Sequence, residues 1–141
     1  MQLADRAVLI TGGKRIGAAV AVSLAERGMD VALSFNRSRR EAEAAAEGVH
    51  SAGRRAFLFQ ADLSLGAACE ALVANAVGEL GRLDALVNMA SVYASVPFDL
   101  TDEALWDRVV SVDLKAAFLC ARAAVPHLRA AGGGRIVNFS D

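Results

Sequence analysis

Short apolar runs recur along the chain, each followed by a longer stretch with helical spacing. The alternation predicts strands at Ala7–Thr11, Asp30–Phe35, Arg55–Gln60, Leu83–Asn88 and Arg135–Phe139. The runs are continuous rather than alternating, as in Val8-Leu9-Ile10, Ala85-Leu86-Val87 and Ile136-Val137. That is the pattern of parallel strands covered by helices on both faces. Between them, three sets of apolar residues fall on single helical stripes: Ile16, Val20 and Leu24; Ala42, Ala45 and Val49; Cys69, Leu72, Ala76 and Leu80. Gly28, Gly53, Gly81 and Gly132 each stand just before a strand, where a helix ends in a left-handed residue that glycine adopts without a clash. A longer last helix is predicted to start at Thr101-Asp102-Glu103-Ala104, with Thr101 as N-cap and acids facing the positive end of the dipole. Pro126 should kink or shorten it.

These elements predict an α/β, doubly wound parallel sheet in a single domain, residues 1–141, with no linker, repeat or low-complexity tract. The fifth strand ends at Ser140-Asp141, and nothing after it covers its outer edge or part of the sheet face. The expectation is a domain incomplete at its C-terminal end, truncated after the fifth strand.

Composition narrows the class. With 55% hydrophobic and 22% charged residues and a formal net charge of -1, the chain has the make-up of a soluble globular domain, not of a disordered segment. The balanced charge gives no nucleic-acid footprint, so acidic ligands could be held only by local clusters. Cys69 and Cys120 form no Cys-x-x-Cys pair and have only His50 and His127 as nitrogen co-ligands, which points to neither a zinc site nor a disulfide framework. The N-terminus does not read as a signal peptide, and no apolar run approaches the ~18 residues of a membrane span. A cytoplasmic protein with no membrane or nucleic-acid partner is expected.

The first strand runs into Gly12-Gly13-Lys14-Arg15-Ile16-Gly17 and then a helix. In that context glycines let the backbone approach a pyrophosphate, which free amides and the helix dipole then stabilise. A tight strand-to-helix turn of purely structural origin would also favour glycine. The second strand ends Phe35-Asn36-Arg37-Ser38-Arg39-Arg40, with no acid until Glu41. A carboxylate there would bind the ribose 2′-hydroxyl of NAD, whereas cations accept a 2′-phosphate. Arg15 and Arg37, with Lys14 across from the strand end, therefore favour NADP(H) over NAD(H). Arg39 and Arg40 read instead as partners of Glu43 and Glu47 on a solvated helix face.

Here the sequence resembles the short-chain dehydrogenase/reductase family, whose first loop usually reads Thr-Gly-x-x-x-Gly-x-Gly. Gln60-Ala61-Asp62-Leu63 is similar to the family's Asp-Val/Leu element beside the adenine. Leu86-Val87-Asn88-Met89-Ala90-Ser91 is similar to its Asn-Asn-Ala-Gly strand end. Gly134-Arg135-Ile136-Val137-Asn138-Phe139-Ser140 resembles the strand that delivers the catalytic serine. The resemblance implies a Rossmann-type fold, cofactor contacts from Gly12, Gly13, Lys14, Arg15, Ile16, Gly17, Asn36, Arg37, Ser38, Asp62, Leu63, Asn88 and Ala90, and hydride transfer between a nicotinamide and a small-molecule carbonyl or pterin-like imine. The pattern Lys14-Arg15-Ile16-Gly17 with Asn36-Arg37-Ser38 looks most like the pteridine-reductase branch. So does Asp141, which stands at the position of the catalytic serine. Asp113, in Ser111-Val112-Asp113-Leu114-Lys115, matches the asparagine whose backbone carbonyl helps hold a relay water in the family. Asp141 and Asp113 are thus the candidate catalytic residues.

Several features depart from the family pattern. The loop from Thr11 to Gly17 is one residue short, Met89 replaces an asparagine, and Asp113 replaces another. The family's Tyr-x-x-x-Lys pair is absent: the only tyrosine is Tyr93, followed four residues later by Pro97, and the only lysines are Lys14 and Lys115. Tyr93 reads as a pocket or packing residue, and the chain alone should be inactive. A non-catalytic nucleotide-binding or interaction module built on the same fold is the alternative. Trp106 and Phe118, with Leu105, Val109, Val110 and Leu114, read as core or oligomer contacts, the full-length form being expected to be a homo-oligomer. His127 reads as a dipole partner near a helix C-terminus.

Overall fold

The computed structural model describes residues 2–12, 14–92 and 95–140. Gly13, Tyr93 and Asp141, singled out above, lie outside the described residues. Five strands, β1 (Arg6–Thr11), β2 (Met29–Phe35), β3 (Ala56–Gln60), β4 (Ala85–Asn88) and β5 (Arg135–Asn138), alternate with helices α1 (Ile16–Ala25), α2 (Arg39–Ser51), α3 (Gly66–Leu80), α4 (Glu103–Val109) and α5 (Ala116–Ala130). The strands form one all-parallel sheet in the order β3-β2-β1-β4-β5. This is the doubly wound Rossmann arrangement that the sequence predicts.

Two apolar layers flank the sheet, and the pleat divides each strand between them. Leu9, Ala32 and Leu86 pack with Cys69, Leu72, Val73, Ala76, Ala116, Cys120 and Ala124 of α3 and α5. Val8, Ile10, Val31, Leu33 and Val87 pack with Ala21 and Ala25 of α1 and Ala45 and Val49 of α2. Both faces are covered, so the strands carry continuous apolar runs. The four glycines ahead of strands do adopt positive φ, between 75° and 91°. The two edge strands are less buried: β3 is half-buried, and β5 is exposed along its whole length, with Ile136 and Val137 open to solvent.

The structure corrects three local expectations. The fully buried residues of α1 are Gly17, Ala21 and Ala25; Val20 and Leu24 of the predicted stripe pack beside them half-buried, while Ile16 is 62% exposed. The stripe is turned by one position because small residues let the helix lie close on the sheet. Asp102, not Thr101, caps α4, its carboxylate accepting from the Leu105 amide at 2.8 Å, while the Thr101 hydroxyl donates back to the Pro97 carbonyl at 3.1 Å. The single long helix is instead α4 and α5 joined by a π turn at Val110–Lys115; Pro126 is accommodated within α5, and the irregularity comes earlier.

At the amino ends of the strands two carboxylates tie the sheet together. Asp84, fully buried, accepts from Arg82 Nε and Nη2 at 2.7 and 2.8 Å, Arg6 Nη1 at 2.8 Å and the Ala7 amide at 3.0 Å. Asp30 accepts from Arg54 and Arg55 side chains at 2.9 and 2.8 Å and the Arg55 amide at 3.1 Å. Burial works to raise both carboxyls, but the arginine and amide hydrogen bonds prevail and hold both below the ordinary 3.8. Sequence patterning gave no sign of either cluster, since their partners lie up to 78 residues apart.

Candidate functional site

After β3 the chain crosses over β1 to build β4 on its other side, so the strand order reverses between β1 and β4. Loops diverge at such a point and leave a crevice beyond the carboxyl ends of the strands. A cavity of about 440 Å³ opens there, within the ~300–1,000 Å³ usual for small-molecule sites. Its walls come from the β1–α1 loop (Gly12, Lys14), the end of β2 (Phe35, Asn36, Arg37, Ser38), the end of β3 (Asp62, Leu63, Ser64), the loop after β4 (Ala90, Ser91, Val92) and the α4 region (Arg108, Val112).

The floor is set by close backbone packing. Gly12 has φ +84°, and a Cβ on it would sit 2.9 Å from the Met89 carbonyl oxygen. A Cβ on Gly17 would collide with the Gly12 carbonyl oxygen. The Thr11 hydroxyl accepts from the Met89 and Ala90 amides at 3.0 and 3.2 Å, pinning the β4 end to the β1 end. α1 starts without a side-chain cap and with no acid in its first turn, so the positive end of its dipole is not neutralised by its own residues. Arg15 precedes it with φ 51° and ψ -106°, a left-handed conformation rare outside glycine.

Three cations from three elements line the cavity, Lys14, Arg37 and Arg108, and none forms an ion pair among the described residues. The one carboxylate among the described residues of the wall, Asp62, is engaged by Ser64 through its hydroxyl at 2.7 Å and its amide at 3.1 Å. Those two bonds, aided by the charges of Arg108 and Arg37, hold its carboxyl below the ordinary value. Arg39 pairs with Glu43 at 3.6 Å as expected, and its guanidinium stacks 5.0 Å from the ring centroid of Phe35, a residue of the cavity wall.

A second cavity of about 320 Å³ adjoins the first through Leu63, Ala90 and Val112, and takes in Asn88, Asp113, Asn138, Phe139 and Ser140. Asn88 donates to Asn138 Oδ1 at 2.9 Å and to the Ala117 carbonyl at 3.4 Å, while its own buried Oδ1 has no partner among the described residues. Asp113, on the π turn, uses its carboxylate: Oδ2 accepts from Ser91 Oγ at 3.0 Å and Oδ1 from the Val92 amide at 2.9 Å.

Of the residues predicted to bind cofactor, Gly12, Lys14, Asn36, Arg37, Ser38, Asp62, Leu63 and Ala90 line the first cavity, and Asn88 lines the second. Arg15 and Ile16 line neither, being turned outward at the exposed start of α1. Gly17 is buried beneath the loop. Arg108 was missed, because nothing in its local sequence separates it from any cation on an amphipathic helix. Cys69 and Cys120, distant in sequence, are both free and share one core cluster; burial pushes the Cys120 thiol up to about 12, which leaves it inert.

A family model described as short chain dehydrogenase matches residues 6–140. The chain is 39% identical over 141 residues to the short-chain dehydrogenase/reductase FrzI of Cladobotryum sp, covering 99% of this chain and 54% of that protein. Among solved structures it is similar to a metagenomic short-chain oxidoreductase in complex with NADP, at TM-score 0.90 and 34% identity, covering 100% of this chain and 64% of that one. It is also similar to an NADH-dependent reductase complexed with NAD, at TM-score 0.88 and 28% identity, covering 96% and 59%. The chain spans about half the length of the curated relatives it matches.

Proposed function

Because the chain belongs to the short-chain dehydrogenase family, we propose that it is the nucleotide-holding part of an NADP(H)-dependent oxidoreductase acting on a carbonyl or a pterin-like imine. The observation that carries this reading is the trio of cations, Lys14, Arg37 and Arg108, without an ion pair among the described residues, around a cavity at the sheet's switch point, with no acid at the end of β2. The arrangement suits a polyanion. In this reading the pyrophosphate lies against the Gly12-to-Gly17 loop and the uncapped start of α1. Asn36, Arg37 and Ser38, with Lys14 opposite, hold the ribose 2′-phosphate, and Asp62, Leu63 and Ala90 border the adenine. Asn88 and Asp113 face the second cavity, toward which the nicotinamide end would extend. When bound, the cofactor supplies the hydride.

Asp113 and Asp141 remain the proposed catalytic residues, and the pattern of Lys14, Arg15 and Arg37 with Asp141 supports the pteridine-reductase branch. The sequence holds no Tyr-x-x-x-Lys pair, so the 141-residue chain by itself is proposed to bind dinucleotide without turnover. Trp106, Leu114 and Phe118, all exposed, favour self-association of the full-length form through this face. A non-catalytic binding module is the second reading, favoured by the left-handed Arg15 in a loop one residue short.

Calorimetric titration with NADPH and NADH tests the reading. A charge-assisted contact to phosphate contributes about 1.5–3 kcal/mol, or roughly 10- to 100-fold in affinity. NADPH should bind at least tenfold more tightly than NADH, and Arg37→Ala should remove most of that difference while leaving NADH unchanged. Equal affinities would overturn the NADP(H) assignment, and no binding of either would favour the second reading.

A further inference from the structure

The π turn places Asp113 against the loop after β4, and its carboxylate accepts from two donors of that loop, the Ser91 hydroxyl and the Val92 amide. A carboxylate only accepts, so it needs donors opposite both oxygens. Ser91 stands where the resembled Asn-Asn-Ala-Gly motif has glycine, and Asp113 where the pattern has asparagine. The two departures meet in one hydrogen bond, so neither is an isolated drift. Ala90, Ser91 and Val92 form a wall of the first cavity, Asp113 lies in the second, and Val112 borders both.

We propose that Ser91 and Asp113 are a linked positioning pair: the Asp113 carboxylate, not only its backbone, reaches from the second cavity to fix the Ser91–Val92 segment as a wall of the first. This deepens the nucleotide reading and rests on it for its effect on affinity. Asp113 acts here through the loop, and the hydroxyl of Ser91 provides the donor that a glycine lacks. The Val92 bond fixes the backbone, and the Ser91 bond fixes the carboxylate.

Amide hydrogen exchange in the nucleotide-free chain tests the pair directly. Asp113→Ala should speed exchange at Val92 at least tenfold while amides of β1 stay protected. Ser91→Ala should speed it less, and Asp113→Asn, which keeps one acceptor oxygen, should restore part of the protection. In the double variant Ser91→Ala/Asp113→Ala the effect should fall short of the sum of the two single effects, because the bond between hydroxyl and carboxylate is lost in both single variants. Unchanged Val92 exchange in Asp113→Ala, or independent addition of the two single effects, would overturn the proposal. With nucleotide present, Asp113→Ala should weaken NADPH and NADH alike, by about tenfold, since the wall serves both. Failure of the unmutated chain to bind either dinucleotide, with Val92 still responding, would overturn the nucleotide reading and leave the pair standing.

Discussion

Asp84 is the residue whose removal should cost this fold most at a single polar position. It lies just ahead of β4, fully buried, and its backbone joins three strands: its amide donates to the Ala7 carbonyl at 2.9 Å and its carbonyl accepts from the Arg135 amide at 3.0 Å. Its carboxylate holds Arg82, Arg6 and the Ala7 amide. In Asp84→Ala the Ala7 amide is left buried without its side-chain acceptor, a loss of about 1–3 kcal/mol, and the charge-assisted bonds from two arginines go, at about 1.5–3 kcal/mol each. Two terms offset this. The arginine side chains are 36% and 42% exposed and return to water, and the carboxylate no longer has to be desolvated. The net cost is about 3 kcal/mol, which for a domain of this size lowers Tm by roughly 10 °C. Asp84→Asn keeps an acceptor for Ala7 and should cost about half as much. Urea unfolding followed by circular dichroism measures both. Because Asp84 lies four residues before Asn88, about 13 Å down the strand, dinucleotide affinity of the folded variant should stay within about twofold. A loss below about 1 kcal/mol for Asp84→Ala would refute the argument, as would a large affinity change in a folded Asp84→Asn protein.

Acid should unfold the protein through Asp30 and Asp84. Both carboxyls are held below the ordinary 3.8 in the folded state, so the unfolded chain binds more protons and stability rises with pH across that window. Their contribution is complete above about pH 5 and is lost as pH falls below about 4 through the folded values; Asp84→Asn should flatten the dependence of the urea midpoint on pH. Gly17→Ala should abolish the loop geometry, since its Cβ meets the Gly12 carbonyl oxygen, and the expected result is at least tenfold weaker NADPH binding by calorimetry with the far-ultraviolet spectrum retained.

What the sequence determined was set by local periodicity and backbone sterics. Continuous apolar runs of strand length, one-sided helical stripes at Ala42–Val49 and Cys69–Leu80, and glycine before each of β2 to β5 are consequences of pleat, helix pitch and left-handed φ, all of which act within a few residues. The same locality made the glycine-rich loop after β1 and the cationic end of β2 legible. Tertiary structure decided what depends on residues far apart in the chain. Asp84 finds Arg6 across 78 positions and Asp113 finds Ser91 across 22, and neither meeting leaves a periodic trace. Which face of α1 is buried was settled by how closely Gly17, Ala21 and Ala25 can approach the sheet, which leaves a residue as large and apolar as Ile16 exposed. Arg108 joins the cavity only because the crossover after β3 carries the chain past β1, so that α4 returns over the ends of strands laid down much earlier.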